Sequence, residues 1–185
     1  MLDLKRGTKV TDIKLSGHPE SFELEKNGDR IFVNVPDSGG VEVVDRKKGS
    51  VVATWPIKNA SENFPMALDE DDHRLFVGTR SPPKLLVLDT DTGETVASLE
   101  SPGDADDIFY DAQTQRVYVS GGTGSVGVFA QKDTNHYEVL GEVSTAEGAR
   151  TLRFVSEWRR LYLAVPNYGA RQAEVRAYQA VLHGR

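Results

Sequence analysis

Short apolar runs separated by turn residues recur along the chain in a fixed order. The anchor is Arg30-Ile31-Phe32-Val33, which returns as Arg74-Leu75-Phe76-Val77, Arg116-Val117-Tyr118-Val119 and Arg160-Leu161-Tyr162-Leu163, at spacings of 44, 42 and 44 residues. A run precedes each anchor at Ser21–Leu24, Met66–Leu68, Ile108–Tyr110 and Leu152–Val155. Another follows at Val41–Asp45, Leu85–Asp89, Val126–Phe129 and Glu174–Tyr178, and a fourth closes three units at Val51–Ile57, Thr95–Leu99 and Glu138–Val143. β-Branched and aromatic residues bounded by Gly, Asn and Asp predict strands. Asn27-Gly28 and Asp69–Asp72 mark hairpins between first and second strands, and Asp45…Gly49 and Asp89…Gly93 mark the turns between third and fourth. Four strands in every ~40–45 residues is the unit of a β-propeller blade.

The ends of the chain extend the pattern. Asp3…Gly7 followed by Val10–Leu15 repeats the end of a third strand, the turn and a fourth strand, whereas the last unit has no fourth strand after Tyr178. The expected fold is all-β, with four four-stranded blades over residues 1–180 as one domain and a tail at 181–185. The N-terminal strand completes the last blade, in cis or in trans. Closure in cis gives a four-bladed ring, exchange between two copies gives eight blades, and a piece of a longer propeller is the third reading. The homodimer is the working expectation.

The segments Phe32-Val33-Asn34, Phe76-Val77-Gly78-Thr79, Tyr118-Val119-Ser120-Gly121 and Tyr162-Leu163-Ala164, with the turns Val44-Asp45…Gly49 and Leu88-Asp89…Gly93, resemble the repeats of the YVTN-type (YncE-like) β-propeller family. The resemblance spans about residues 2–180 and is specific for fold rather than activity. It implies blades like those of a family whose members commonly have seven, many of them periplasmic.

Composition narrows the chemistry. Among 185 residues, 22 Lys and Arg face 28 Asp and Glu, for a formal charge of −6, which argues against a protein that coats nucleic acid. Without cysteine there is no disulfide, thiol nucleophile, Cys-ligated zinc or iron–sulfur cluster. No apolar run approaches the ~18 residues of a spanning helix, and no apolar region follows Met1–Arg6 to make a signal peptide. A soluble protein is expected, with cytoplasmic and periplasmic locations both open.

The first strand of a propeller blade lies innermost, so its entrance loop faces the central channel. Aligned on the anchors, His18, Glu62, Asp104 and Gly148 form one ring, and Glu20, Phe64, Asp106 and Arg150 a second. Asn63, Asp107 and Arg153 lie beside these rings, and Asn34, Arg80 and Asn167 follow the second strands. One reading makes His18, Asn34, Glu62, Asn63, Arg80, Asp104, Arg150 and Arg153 a small-molecule site. Glu20, Asp106 and Asp107 would hold a divalent metal, calcium by their oxygens or zinc if a histidine joins. The pattern resembles metal-dependent propeller hydrolases of the lactonase and phosphotriesterase kind, which implies turnover of esters, lactones or phosphoesters. The other reading has these groups bonding loop backbones and solvent, with Arg150 and Arg153 paired to Asp106 or Asp107. It makes the chain a non-catalytic interaction scaffold.

Other motifs are absorbed by the fold. Gly122-x-Gly124-x-x-Gly127 joins two strands and so cannot act as a dinucleotide loop, which needs a helix after it. Asp89-Thr90-Asp91-Thr92-Gly93 lacks the ligand spacing of a calcium loop and is a turn. Trp55 and Trp158 are expected to be packing or rim residues.

Overall fold

A computed structural model describes residues 2–3, 5, 7–9 and 11–181. After a two-stranded hairpin, β1 (Leu2–Asp3) and β2 (Thr8–Lys9), the chain forms successive antiparallel sheets. Blade 1 comprises β3 (Phe22–Leu24), β4 (Arg30–Val35), β5 (Gly40–Asp45) and β6 (Ser50–Pro56). Blade 2 comprises β7 (Met66–Asp69), β8 (Arg74–Arg80), β9 (Pro83–Asp89) and β10 (Thr95–Glu100). Blade 3 comprises β11 (Ala105–Asp111), β12 (Arg116–Gly121), β13 (Ser125–Gln131) and β14 (Tyr137–Ser144). Blade 4 has three strands, β15 (Thr151–Val155), β16 (Arg160–Val165) and β17 (Glu174–Gln179). Within each blade the strands are adjacent in chain order, and neighbouring blades meet along their first strands, β3 to β7 to β11 to β15.

Turn chemistry fixes the third-to-fourth connections. Asp45 Oδ1 accepts the Lys47 and Lys48 amides at 2.9 Å, and Asp89 Oδ1 accepts those of Asp91 and Thr92 at 2.9 Å. Each turn ends on a left-handed glycine, Gly49 (φ 66°) and Gly93 (φ 77°). At Gly93 a Cβ would also sit 2.3 Å from the Trp55 ring, so blade 1 packs its tryptophan directly over the turn of blade 2. The N-terminal hairpin shares the backbone form of these turns: Asp3 pairs with Thr8 in register, and Gly7 takes φ 64°.

Between blades the core is apolar. Phe32, Val41, Val43 and Trp55 of blade 1 interlock with Met66, Leu75, Val77, Leu86 and Leu88 of blade 2. The opposite face of blade 2, with Phe76, Leu85 and Val87, meets Ile108, Val117, Val119 and Phe129 of blade 3. Blade 3 then offers Tyr118 and Val126 to Leu152, Phe154, Leu161 and Leu163 of blade 4. Strands covered on both faces explain why the sequence lacks clean alternation.

The expected strand at Val10–Leu15 differs from the structure. Val10 lies outside the described residues, β2 is confined to Thr8–Lys9, and residues 11–15 form no ladder. Ile13 and Leu15 pack instead against Val33, Val35 and Val44 on the free face of blade 1. Counted from the turn glycine, they match Trp55 and Ile57, which make the corresponding contact from blade 1 to blade 2. The segment thus lies where the fourth strand of a preceding blade would lie. The outer edge of β17, three blades away, has no ladder partner among the described residues.

Candidate functional site

Arg80, Asp104, Asp106 and Arg150 form an alternating ion cluster at the entrance of the innermost strand of blade 3. Arg80 Nη1 lies 3.1 Å from Asp104 Oδ1, and Arg150 Nη1 lies 2.5 Å from Asp104 Oδ2. Asp106 bonds Arg80 through one oxygen and Arg150 Nε through the other, at 2.7 Å. Arg80 also donates from Nε to the Ala105 carbonyl at 3.0 Å and lies over the Phe64 ring, 4.3 Å from its centroid. The guanidinium of each arginine therefore spans two carboxylates, the arrangement its forked donors favour.

Local backbone explains the convergence. Asp104 adopts the left-handed region (φ 55°), and Gly122 leaves room for its carboxylate, since a Cβ there would sit 2.1 Å from Asp104 Oδ2. A register shift between Ala105 and Asp107 makes Asp106 the extra residue of a bulge and aims it at the arginines. Asp107 turns the other way and accepts the Leu152 amide at 2.7 Å. Burial raises the Asp107 carboxyl above its ordinary range, opposed by that amide, with the Asp106 charge adding to the rise. The hydrogen bond to Asp104 raises Arg150, reinforced by the charges of Asp106 and Asp104.

The remaining expected site residues are placed elsewhere. Asn34 and Asn63 are fully buried between blades 1 and 2, not in the channel. Asn34 donates to the Phe64 and Pro65 carbonyls at 3.0 and 3.3 Å and accepts from Asn63, which also donates to the Gly40 carbonyl at 2.9 Å. Their amides join blades and are not free to hold a ligand. His18 is exposed, its amide donating to Asp37 and its ring 3.8 Å from Glu20. Glu62 is exposed at φ 58°, and Arg153 lies 5.6 Å from the centroid of the Phe109 ring.

The donor set lends the metal expectation no support. Glu20 belongs to blade 1 and is not brought to Asp106 and Asp107. Asp106 spends both oxygens on guanidinium groups, and Asp107 spends one on an amide. Among the described residues no three His, Asp or Glu side chains gather at metal-ligating spacing.

A larger feature was not singled out from the sequence. A cleft of about 820 Å³ lies between blades 3 and 4, lined by Tyr118, Val126, Val128, Leu140, Val143 and Tyr178. The anchor arginines were also missed as functional groups. Arg30 donates to the Thr90 carbonyl, Arg74 to the Thr134 carbonyl at 2.6 Å, and Arg116 to the Val181 carbonyl at 2.8 Å, each reaching the next blade. Arg160 is exposed and makes no such crossing among the described residues. The recurrence of the anchors was the available signal.

Comparison with known proteins agrees with the blade geometry. No family model matches the chain. It is 23% identical over 150 residues to the uncharacterized protein YncE of Salmonella typhimurium, an alignment covering 80% of this chain and 39% of that protein. Among solved structures, hydrazine synthase of Kuenenia stuttgartiensis superposes with a TM-score of 0.77 at 16% identity, over 92% of this chain and 48% of that one. The fold is a β-propeller, similar in sequence to YncE. A chain of the mitotic checkpoint complex also superposes, with a TM-score of 0.69 at 12% identity, over 81% of this chain and 48% of its own. This propeller unit therefore spans less than half the length of each of these relatives. No helix among its described residues is long and apolar enough to cross a membrane.

Proposed function

We propose that the chain is a non-catalytic interaction module that binds through the open side of blade 4. The observation carrying this reading is a difference in exposure at one repeat position. Val41 in blade 1 and Leu85 in blade 2 are 0% exposed, whereas Val175, their counterpart in blade 4, is 70% exposed. Trp158, 63% exposed, stands edge-on to Tyr162 on the same blade. Apolar side chains at positions that elsewhere join blades are what a partner-binding face needs.

The channel supports this reading by what its charges do. A metal-dependent hydrolase of esters, lactones or phosphoesters needs carboxylates free to hold the ion, and a bound anion needs a guanidinium free to receive it. In the cluster each carboxylate neutralises the arginines beside it, so the group joins blades 2, 3 and 4. The test is metal analysis of the purified chain together with a panel of ester, lactone and phosphoester substrates. The expected result is no stoichiometric metal and no turnover. Turnover that disappears in Asp106→Asn would overturn the proposal.

A further inference from the structure

We infer that the free edge of β17 accepts residues 8–14 of a second copy of this chain as the missing fourth strand, building a reciprocal eight-bladed dimer. This rests on the interaction reading above and names its partner.

Blades 1 and 2 independently give the register. In blade 1, Val44 faces Val51 and Val43 faces Ala53, with one residue bulged between, followed by Glu42 with Thr54 and Val41 with Trp55. Blade 2 repeats this, Leu88 with Thr95 and Val87 with Ala97, then Leu86 with Ser98, Leu85 with Leu99 and Lys84 with Glu100. Gly7 matches Gly49 and Gly93 in turn position and in φ. Carried onto blade 4, the same register sets Tyr178 against Lys9 and Ala177 against Thr11. Arg176 then faces Asp12, Val175 faces Ile13 and Glu174 faces Lys14.

Those pairs are complementary. Two opposite-charge pairs flank an apolar one, and directly opposed side chains are what stabilise an antiparallel ladder. Glu174–Lys14 falls where blade 2 has its Lys84–Glu100 salt bridge, with the signs exchanged. The charges now make local pairs instead, Arg176 with Glu174 at 2.7 Å and Lys9 with Asp12 at 2.8 Å, which can be exchanged at little cost.

The other half of the geometry is already in place. Ile13 and Leu15 sit on blade 1 as the fourth strand of a preceding blade would. A partner's blade 4 brought to that strand lays Tyr162 and Val175 beside blade 1, and two such contacts close the ring by a two-fold axis. Pairing within one chain would instead require the segment to leave blade 1 and cross to the far end of the blade series. In the dimer Tyr178 and Gln179 replace Leu2 and Asp3 opposite Lys9 and Thr8, so the two-residue strand β1 is given up for a longer ladder.

Light scattering on the full chain across a concentration series, with charge reversals at the paired positions, tests this. The expected species has twice the 20.4 kDa chain mass. Glu174→Lys and Lys14→Glu should each weaken dimerisation about tenfold, because one repulsion appears at both symmetric contacts. The double variant should restore it. A monomer at every concentration, or a dimer indifferent to the reversals, overturns the inference. So does a monomer whose melting temperature follows the reversals, since the pairing would then lie within one chain. A monomer without hydrolase activity removes the second copy as partner and leaves the non-catalytic reading standing, whereas turnover dependent on Asp106 removes that reading itself.

Discussion

Phe76 in blade 2 and Tyr162 in blade 4 hold the same place in the repeat, on the second strand two residues after the anchor arginine. Phe76 is fully buried against Tyr110 and Tyr137 of blade 3, while Tyr162 is half-buried and meets the exposed Trp158. The comparison extends to Leu85 and Val175 and to Arg74 and Arg160. The repeat specifies a blade with two apolar faces, and burial depends on whether a neighbour stands on each side. Blade 4 carries the apolar pattern of an internal blade with one side uncovered, and the proposed interface rests on that difference.

The sharpest way to break this comparison is to truncate the paired aromatics. Phe76→Ala should cost about 3–5 kcal/mol in urea denaturation, the range for deleting a buried phenyl ring. Tyr162→Ala should cost under about 1 kcal/mol in dilute solution, because much of its ring is still in water. Equal losses would mean that blade 4 is as enclosed as blade 2.

The anchor arginines offer a smaller contrast. Arg74 bonds Asp89 at 2.8 Å and Asn135 at 2.9 Å besides the Thr134 carbonyl, so Arg74→Ala should cost about 2–3 kcal/mol, as expected for losing buried bonds to a charged group. Arg160→Ala should change monomer stability by less than about 0.5 kcal/mol. Chemical denaturation of both variants at low concentration measures the difference.

The smallest effect concerns the half-buried contact of Asp107 with the Leu152 amide, between blades 3 and 4. Burial raises the Asp107 carboxyl in the folded state, so its contribution is fully present below the unfolded pKa, about 3.9, and is lost as pH rises through the folded value. The stability of Asp107→Asn relative to the parent should therefore improve as pH rises from about 3.5 toward neutrality. Thermal melts at several pH values would show it, and a parallel pair of curves would mean that Asp107 is as solvated as in the unfolded chain.

Much of the fold was legible because turn chemistry and period are local. Every strand expected in the four repeats is present, and the Asp…Gly turns form as the residue types require. The channel was legible in part. Arg150 does pair with Asp106 as expected, but Asp104 reaches the same arginines from a left-handed turn before β11 and Asp106 from a bulge within it, features that spacing does not show. What the sequence could not carry was the direction taken by side chains at blade boundaries. Asn34 and Asn63 align with channel positions, yet their amides turn toward each other and toward carbonyls of the adjacent blade. The bulge at Asp106 separates it from Asp107, which spacing alone had placed together. The N-terminal segment was expected to complete the last blade as its fourth strand, whereas Ile13 and Leu15 rest without a ladder on the face of blade 1 turned away from blade 2.

The most direct measurement is amide hydrogen exchange on β9 and β17, carried out below and well above the concentration at which the chain associates. β9 should be protected equally in both, since β8 and β10 pair with it on either side. The β17 amides that point away from β16 should exchange freely in dilute solution and become protected on association, together with those of residues 11–14. Protection of β17 that is the same at both concentrations would contradict an open edge completed by a second copy.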